Sequence, residues 1–238
     1  MTRGIFIAGN ESVLLSAAEA EAEKRVELYA EALIPDPFPV PGASDQSLAG
    51  RDSPPAEIKT SDPVPSKKIP LSWNPGSPIS SRTLMLAAEN RLGRINDALL
   101  VCSPPSVYRS AEALDPGEIE TLVNSQIKGW FFLVRELALY FRSRMQGTLS
   151  LVVPETGPVG GRDSPADLLG PSASASFRAL AQGLISSSVV EPFQIFGFSL
   201  PETGKEQDFA AWLFRILDEG DAKKSGKWHK FGGFSFLR

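Results

Sequence analysis

Ile95-Asn96-Asp97-Ala98-Leu99-Leu100-Val101-Cys102, stopped by Pro104 and Pro105, ends in a near-continuous apolar run of strand length. A strand without polar alternation is covered on both faces, which places it inside a parallel sheet with helices above and below. Thr148 to Val153 is a second run of the same kind. Between them lies the longest helical pattern, Pro116 to about Arg144, with Leu122, Val123, Ile127, Trp130, Val134, Leu137 and Phe141 at three-and-four spacing until Gly147 stops it. Buried strand, long helix, buried strand is a crossover unit, and such units take one hand.

The same alternation extends in both directions. Gly4 to Ala8 reads as a strand, Gly9 and Asn10 as a turn, and Ser12 to about Arg25 as an Ala- and Glu-rich helix. Val26 to Ile34 fits a strand by its period of two and a helix extension by its composition. From Pro35 to Pro78 stand 11 of the chain's 20 prolines, a density that removes backbone donors and predicts an irregular excursion, with one short strand at Ile69 to Trp73. A helix follows from Ser80 to about Gly93. Beyond Val153 the pattern predicts a Gly- and Pro-rich loop to about Pro171, a helix from about Ser174 to Ser187 and a strand at Phe193 to Phe198. It ends with a helix at Asp208 to Glu219 closed by Gly220 and a last strand at Trp228 to Leu237. The prediction is an α/β protein: a doubly wound parallel sheet with helices on both faces, three layers, one domain over 1–238 with a proline-rich insertion at about 35–78.

With 24 Lys and Arg against 28 Asp and Glu, the net charge of -4 is scattered along 238 residues, so nothing draws a polyanion and nucleic acid is not an expected partner. The single cysteine, Cys102, allows neither an intramolecular disulfide nor a zinc cluster, and the single histidine, His229, leaves no site with two His ligands. The amino terminus lacks a charged lead and an apolar core, and the longest aliphatic and aromatic run, Trp130 to Val134, falls far short of the roughly 20 residues that span a bilayer. A cytoplasmic protein without membrane contact is expected.

Several segments, in this order, resemble the short-chain dehydrogenase/reductase family, a Rossmann-fold group of nicotinamide-dependent oxidoreductases. Ala88-Glu89-Asn90-Arg91-Leu92-Gly93-Arg94-Ile95-Asn96-Asp97 is similar to the family's A-E-x-x-G-x-I-D passage, and Leu99 to Val101 to its strand four. Ile127 to Phe131 resembles the middle of its long interface helix, Gly147 to Val153 its strand five, and Ala175-Ser176 with Ala179-Leu180 its active-site helix. Phe209 to Leu217, Ser225-Gly226-Lys227 and Phe231-Gly232-Gly233-Phe234 are similar to its closing helix, loop and strand. The resemblance covers roughly Gly4 to Arg25 and Ser80 to Leu237. It implies NAD(P) as the cofactor of an active member, and a homo-oligomer formed through the 116–144 helix.

Departures from the family pattern decide the functional reading. The family's T-G-x-x-x-G-x-G turn falls on Ala8 to Leu15, where only Gly9 matches; Gly9 is the one retained cofactor-binding candidate. Val13 and Leu15 place side chains where the family leaves room for a pyrophosphate, and Glu11 adds a negative charge there. The N-N-A-G at the end of strand four falls on Val101-Cys102-Ser103-Pro104. The Y-x-x-x-K signature falls on Ala173 and Phe177, the serine near Val153 or Pro154, and the supporting asparagine near Gln126. Arg178 lies about 100° round the helix from Phe177 and does not substitute in place. No register shift recovers the acid, because the tyrosines are Tyr29, Tyr108 and Tyr140. The expectation is a catalytically degenerate member with a structural, regulatory or ligand-binding role, no catalytic residues and no metal. The alternative is an active NAD(P)-dependent oxidoreductase with a non-standard acid, Tyr108. A third reading is a partner subunit to an active paralogue, with the proline-rich stretch as docking arm.

Other features take plainer readings. His229 reads as a surface or interface residue and Cys102 as a packing residue. Gly157 to Arg162 reads as a loop lacking the ending of a phosphate loop, and Lys67-Lys68 and Lys223-Lys224 as solvated surface. Trp130, Phe131, Phe132, Tyr140 and Phe141 wrap more than one face of the long helix, so association would bury what sheet packing leaves over. The 35–78 insertion is expected to cover or fill the vacated adenosine site.

Overall fold

The computed structural model describes residues 3–34, 67–155, 166–201 and 203–232. Seven strands form one sheet: β1 (Ile5–Asn10), β2 (Tyr29–Ile34), β3 (Lys68–Leu71), β4 (Asp97–Val101), β5 (Thr148–Pro154), β6 (Gln194–Leu200) and β7 (Lys227–Lys230). Their order is β3-β2-β1-β4-β5-β6-β7 and every pair is parallel, so the chain winds outward twice from the β1–β4 seam. Helices α1 (Val13–Glu23), α2 (Pro78–Leu92), α3 (Pro116–Leu122), α4 (Gly129–Arg144), α5 (Leu169–Ser187) and α6 (Glu206–Glu219) complete the three expected layers.

Alternation along the strands divides the core. Phe6, Ala8, Leu100, Leu151 and Ile195 face α2, α4 and α5, where Leu84, Trp130, Leu137, Phe141 and Phe177 cover them. Ile7, Leu99, Val101, Phe196 and Phe198 face α1 and α6, where Leu15, Ala18, Leu213 and Phe214 meet them. The central strands are buried along their whole length, which is why their sequence shows no period of two.

Local chemistry sets the helix ends. Ser77 accepts from Ser80 N and Pro78 takes the first turn, so α2 begins two residues before the expected Ser80. Asp115 and Glu118 form a reciprocal capping box at the start of α3. The expected 116–144 helix is interrupted by one π-helical turn, Val123–Lys128, which hydrophobic spacing does not reveal. It ends at left-handed Met145, and Gly147 at φ 135° follows, where a Cβ would lie 2.1 Å from the Phe141 ring.

The open segment 26–34 resolves as strand β2, with a turn before it. Of the last strand expected at Trp228 to Leu237, the described part is Lys227–Lys230, followed by Phe231 and Gly232 in a turn, and 233–237 lie outside the described residues. The short strand expected at Ile69 to Trp73 is β3, Lys68–Leu71, paired with β2, and Trp73 Nε1 donates to the Leu33 carbonyl at 3.0 Å. Residues 35–66 and 156–165, which carry the adenosine-site, docking-arm and anion-loop expectations, lie outside the described residues. Among those described, no helix is long and apolar enough to cross a membrane.

Candidate functional site

In an open parallel sheet ligands bind beyond the carboxyl ends of the strands where the winding reverses, here between β1 and β4. Gly9 sits at that point. A Cβ on it would lie 2.8 Å from the Val101 carbonyl oxygen and 3.0 Å from Leu15 Cδ1, so its space is used by the protein itself. Leu15 is buried against it, and Ser12 accepts the Leu15 N–H at 3.2 Å, which occupies one free donor of the α1 amino terminus. Buried Asn10 accepts from Ser103 N at 3.4 Å, stitching the ends of β1 and β4 together. Val13 stands exposed at the helix mouth beside exposed Glu11. These residues do not fit a pyrophosphate: the close-approach space at Gly9 is filled, and exposed Glu11 carries the wrong charge.

Beside this seam, α5 packs its 173–177–181 face inward. Ala173 is 0% exposed and Phe177 1%, and the Phe177 ring meets Trp130 edge-on at 4.8 Å. Gln126, in the π-helical turn, is wholly buried, and neither of its side-chain polar atoms has a partner in the structure. Cys102 is buried at the end of β4, where burial pushes its thiol up and keeps it protonated. Tyr108 is exposed on the loop after β4, which bridges to Asp167 just before α5.

No protein-family model matches the sequence, and no curated protein matches it. Solved structures do. A short-chain type dehydrogenase/reductase from Mycobacterium marinum superposes with a TM-score of 0.71 over 99% of this chain and 96% of that one, at 12% identity. A short chain dehydrogenase from Mycobacterium smegmatis gives 0.68 over 98% and 93%, also at 12% identity. Levodione reductase gives 0.67 over 96% and 95%, again at 12%. This is the short-chain dehydrogenase/reductase fold.

The sequence resemblance and the fold agree in element order, so Ala173 and Phe177 do stand on the helix that follows β5 in a short-chain dehydrogenase/reductase architecture, but their side chains belong to the core. The turn expected at Gly9 and Asn10 is a correction: both lie inside β1, where Gly9 pairs with Leu33 and Val101, and the chain bends only at Glu11 and Ser12. Among the described residues no side-chain contact joins Tyr108 to Ala173, although the Tyr108 loop bridges to Asp167 just before α5.

His229 is a correction: it is half-buried, its ring stacked on Phe198 at 5.4 Å, and Nε2 lies 3.0 Å from the Lys224 carbonyl oxygen. Burial holds its pKa below the ordinary range. Lys68 is a second correction, since it pairs with Glu31 at 2.9 Å and Glu19 at 3.3 Å. Lys224 pairs with Glu219 and Lys67 donates to the Glu23 carbonyl, so neither basic pair is merely solvated.

Sequence reading did not bring together Glu155, Arg178, Ser199 and Lys230, which converge at the carboxyl ends of β5, β6 and β7. The one signal in the chain is that Glu155 directly follows a buried strand. Among the described residues no group of three or more His, Cys, Asp or Glu could hold a metal ion.

Proposed function

We propose that this chain is a catalytically degenerate protein of the short-chain dehydrogenase/reductase family, with a structural, regulatory or ligand-binding role in place of hydride transfer. One observation carries the reading: the two positions aligned with the family's tyrosine and lysine hold core side chains, Ala173 and Phe177, without contact to solvent. A general acid must reach the proton acceptor, and alanine has none to give. The filled space at Gly9, near the carboxyl end of β1, supports the same reading independently.

Thermal unfolding with NAD, NADH, NADP and NADPH tests it. A ligand that binds only the folded state at 100 times its Kd adds about 2.7 kcal/mol, which for a chain of this size raises Tm by several degrees. No shift is expected with any of the four at millimolar concentration. A rise of several degrees would return the oxidoreductase reading, for which the proximity of the Tyr108 loop to the start of α5 speaks. Hydride transfer lost in Tyr108→Phe would then identify the acid.

The chain also acts as a homo-oligomer in this proposal, through the outer face of α4. Trp130 and Phe141 are consumed by the core, while Phe131 and Leu139 are 49% and 47% exposed on the same helix. Sedimentation at micromolar concentration is expected to give a dimer or tetramer, and Phe131→Glu to shift it toward the 25.7 kDa monomer. A wild-type monomer would remove the idea.

A further inference from the structure

Three charged side chains that no sequence motif connects, Glu155, Arg178 and Lys230, meet at the carboxyl end of the sheet. Glu155 follows β5, and its N–H donates to the Leu200 carbonyl at 2.7 Å, which fixes it beside β6. Fully buried Ser199 hydrogen-bonds the Glu155 carboxylate and accepts from Trp228 Nε1 at 3.2 Å. Lys230 Nζ reaches Glu155 Oε1 at 3.3 Å. Arg178 Nη2 comes only to 3.6 Å of the same oxygen, and its guanidinium lies over the Trp228 ring at 5.1 Å.

We propose that Arg178 and Lys230 form a binding site for the oxyanion of a small molecule, a carboxylate or a phosphate, with Glu155 as the internal anion that holds the two cations in place.

Among the described residues the cluster has two positive charges against one negative, Arg178 and Lys230 against Glu155. Burial works against the Glu155 carboxylate, yet the hydrogen bonds from Lys230 and Ser199 and the charges of Lys230 and Arg178 outweigh it and hold the group below the usual range. Glu155 is therefore ionised at neutral pH and cannot act as an acid. A separation of 3.6 Å is outside hydrogen-bond range, so among the described residues the Arg178 donors have no direct acceptor.

Trp228 holds the guanidinium plane from one side, which presets its edge for two-point recognition of a planar or tetrahedral oxyanion. Side-chain exposures of 31% for Arg178 and 62% for Lys230 leave both reachable from solvent. A surface ion pair kept for stability alone would gain little from a second cation at such a distance. The position, at the carboxyl ends of parallel strands, is where open α/β sheets take ligands.

This inference rests on the ligand-binding reading and names its ligand class. The test follows Tm of the full chain in inorganic phosphate and, separately, in succinate, against sodium chloride at matched ionic strength. Wild type is expected to be stabilised by at least one of the two beyond chloride, and the active probe distinguishes a phosphate from a carboxylate ligand. Arg178→Gln and Lys230→Gln, both at partly exposed positions, should each weaken that probe's apparent affinity, Arg178→Gln by about tenfold or more. Glu155→Gln keeps an amide oxygen for Lys230 and leaves Arg178 on the Trp228 ring while it removes the competing charge, so it should tighten binding by about tenfold.

A shift that survives Arg178→Gln, or no chloride-independent shift in either wild type or Glu155→Gln, overturns the proposal. The degenerate-enzyme reading stands or falls separately on the nucleotide series. A nucleotide shift abolished by Arg178→Gln would assign that binding to this cluster and not to the residues around Gly9.

Discussion

Phe177→Lys, the substitution that restores the family's lysine, is expected to bring the protein to the edge of unfolding and to produce no activity. The Phe177 side chain is 1% exposed, packed with Trp130, Leu151 and Val153 in the core between the sheet and α4. Truncating such a residue to alanine costs about 3–5 kcal/mol, and loss of the edge-on ring pair adds about 0.5–1.5 kcal/mol. A lysine there must also bury an ammonium with no carboxylate facing it or deprotonate, each at a further cost. Against a total stability of about 5–15 kcal/mol for a typical domain, little remains.

Ala173→Tyr adds the second restored group where Ala173 is 0% exposed, so overpacking takes about 1–3 kcal/mol more. Urea unfolding followed by tryptophan fluorescence checks this. The expected order of midpoints is wild type, Phe177→Leu, then Phe177→Lys, with the double variant lowest. A double variant as stable as wild type would mean that both positions face an open site, and the degenerate reading would fail with it.

How much of this was legible in the chain depends on whether the deciding contact is local. Leu99 to Val101 and Thr148 to Val153 announce buried parallel strands because both faces of each are covered, and that is a property of the run itself. Tyr29–Ile34 did not announce itself, since Ala30 and Ala32 carry little β preference and Glu31 is buried in mid-strand only because Lys68 reaches it from β3. The π-helical turn at Val123–Lys128 is invisible to spacing arguments, because one extra residue in a turn shifts a hydrophobic stripe by less than its width.

At the site, the loss of tyrosine and lysine could be read by alignment, but their burial could not. Whether Phe177 lines a cleft or fills a core depends on Trp130, 47 positions earlier and brought back by the fold. The charged cluster is wholly tertiary, since Glu155, Arg178 and Lys230 come from three elements and share no spacing. His229 shows the same limit, because its stacking on Phe198 needs the β6–β7 register, which pairs those two residues.

The Lys68 correction leads to the second large effect, a fall in stability as pH rises from about 4.5 to about 7. Glu19 of α1 and Glu31 of β2 flank one ammonium, with side chains 14% and 5% exposed, and the Glu19 Oε1 atom is buried without a partner. Two carboxylates facing one cation cannot both ionise cheaply. Burial first, then the hydrogen bond and charge of Glu31, push the Glu19 carboxyl up from 4.5 to about 7, and Lys68 opposes this only in part. Tyr29 and Glu23 face the same cluster, and the hydroxyl of Tyr29 donates to Glu23 Oε1 at 3.3 Å.

Because the folded-state value lies above the unfolded one, the folded protein binds the extra proton between those two pH values. This contribution to stability is therefore full below about 4.5, is lost on the way up, and is gone above about 7. Glu21, Glu155, Glu191 and Asp218, all held below their ordinary values, weaken the protein as pH falls through their acid range, and half-buried His229, held below 6.5, also adds stability as pH rises. The difference between wild type and Glu19→Gln therefore isolates the Glu19 contribution.

Glu19→Gln keeps a neutral hydrogen-bonding group at all pH values and should remove the decline. Its stability gain over wild type is expected to grow from near zero at pH 5 to about 1–2 kcal/mol at pH 8, after allowance for solvent screening. Urea unfolding at unit pH steps measures it directly. A Glu19→Gln curve parallel to that of wild type over this range would show that the Glu19 carboxyl ionises at no extra cost. In that case β3 would be held to β2 by its backbone ladder and Lys68 alone.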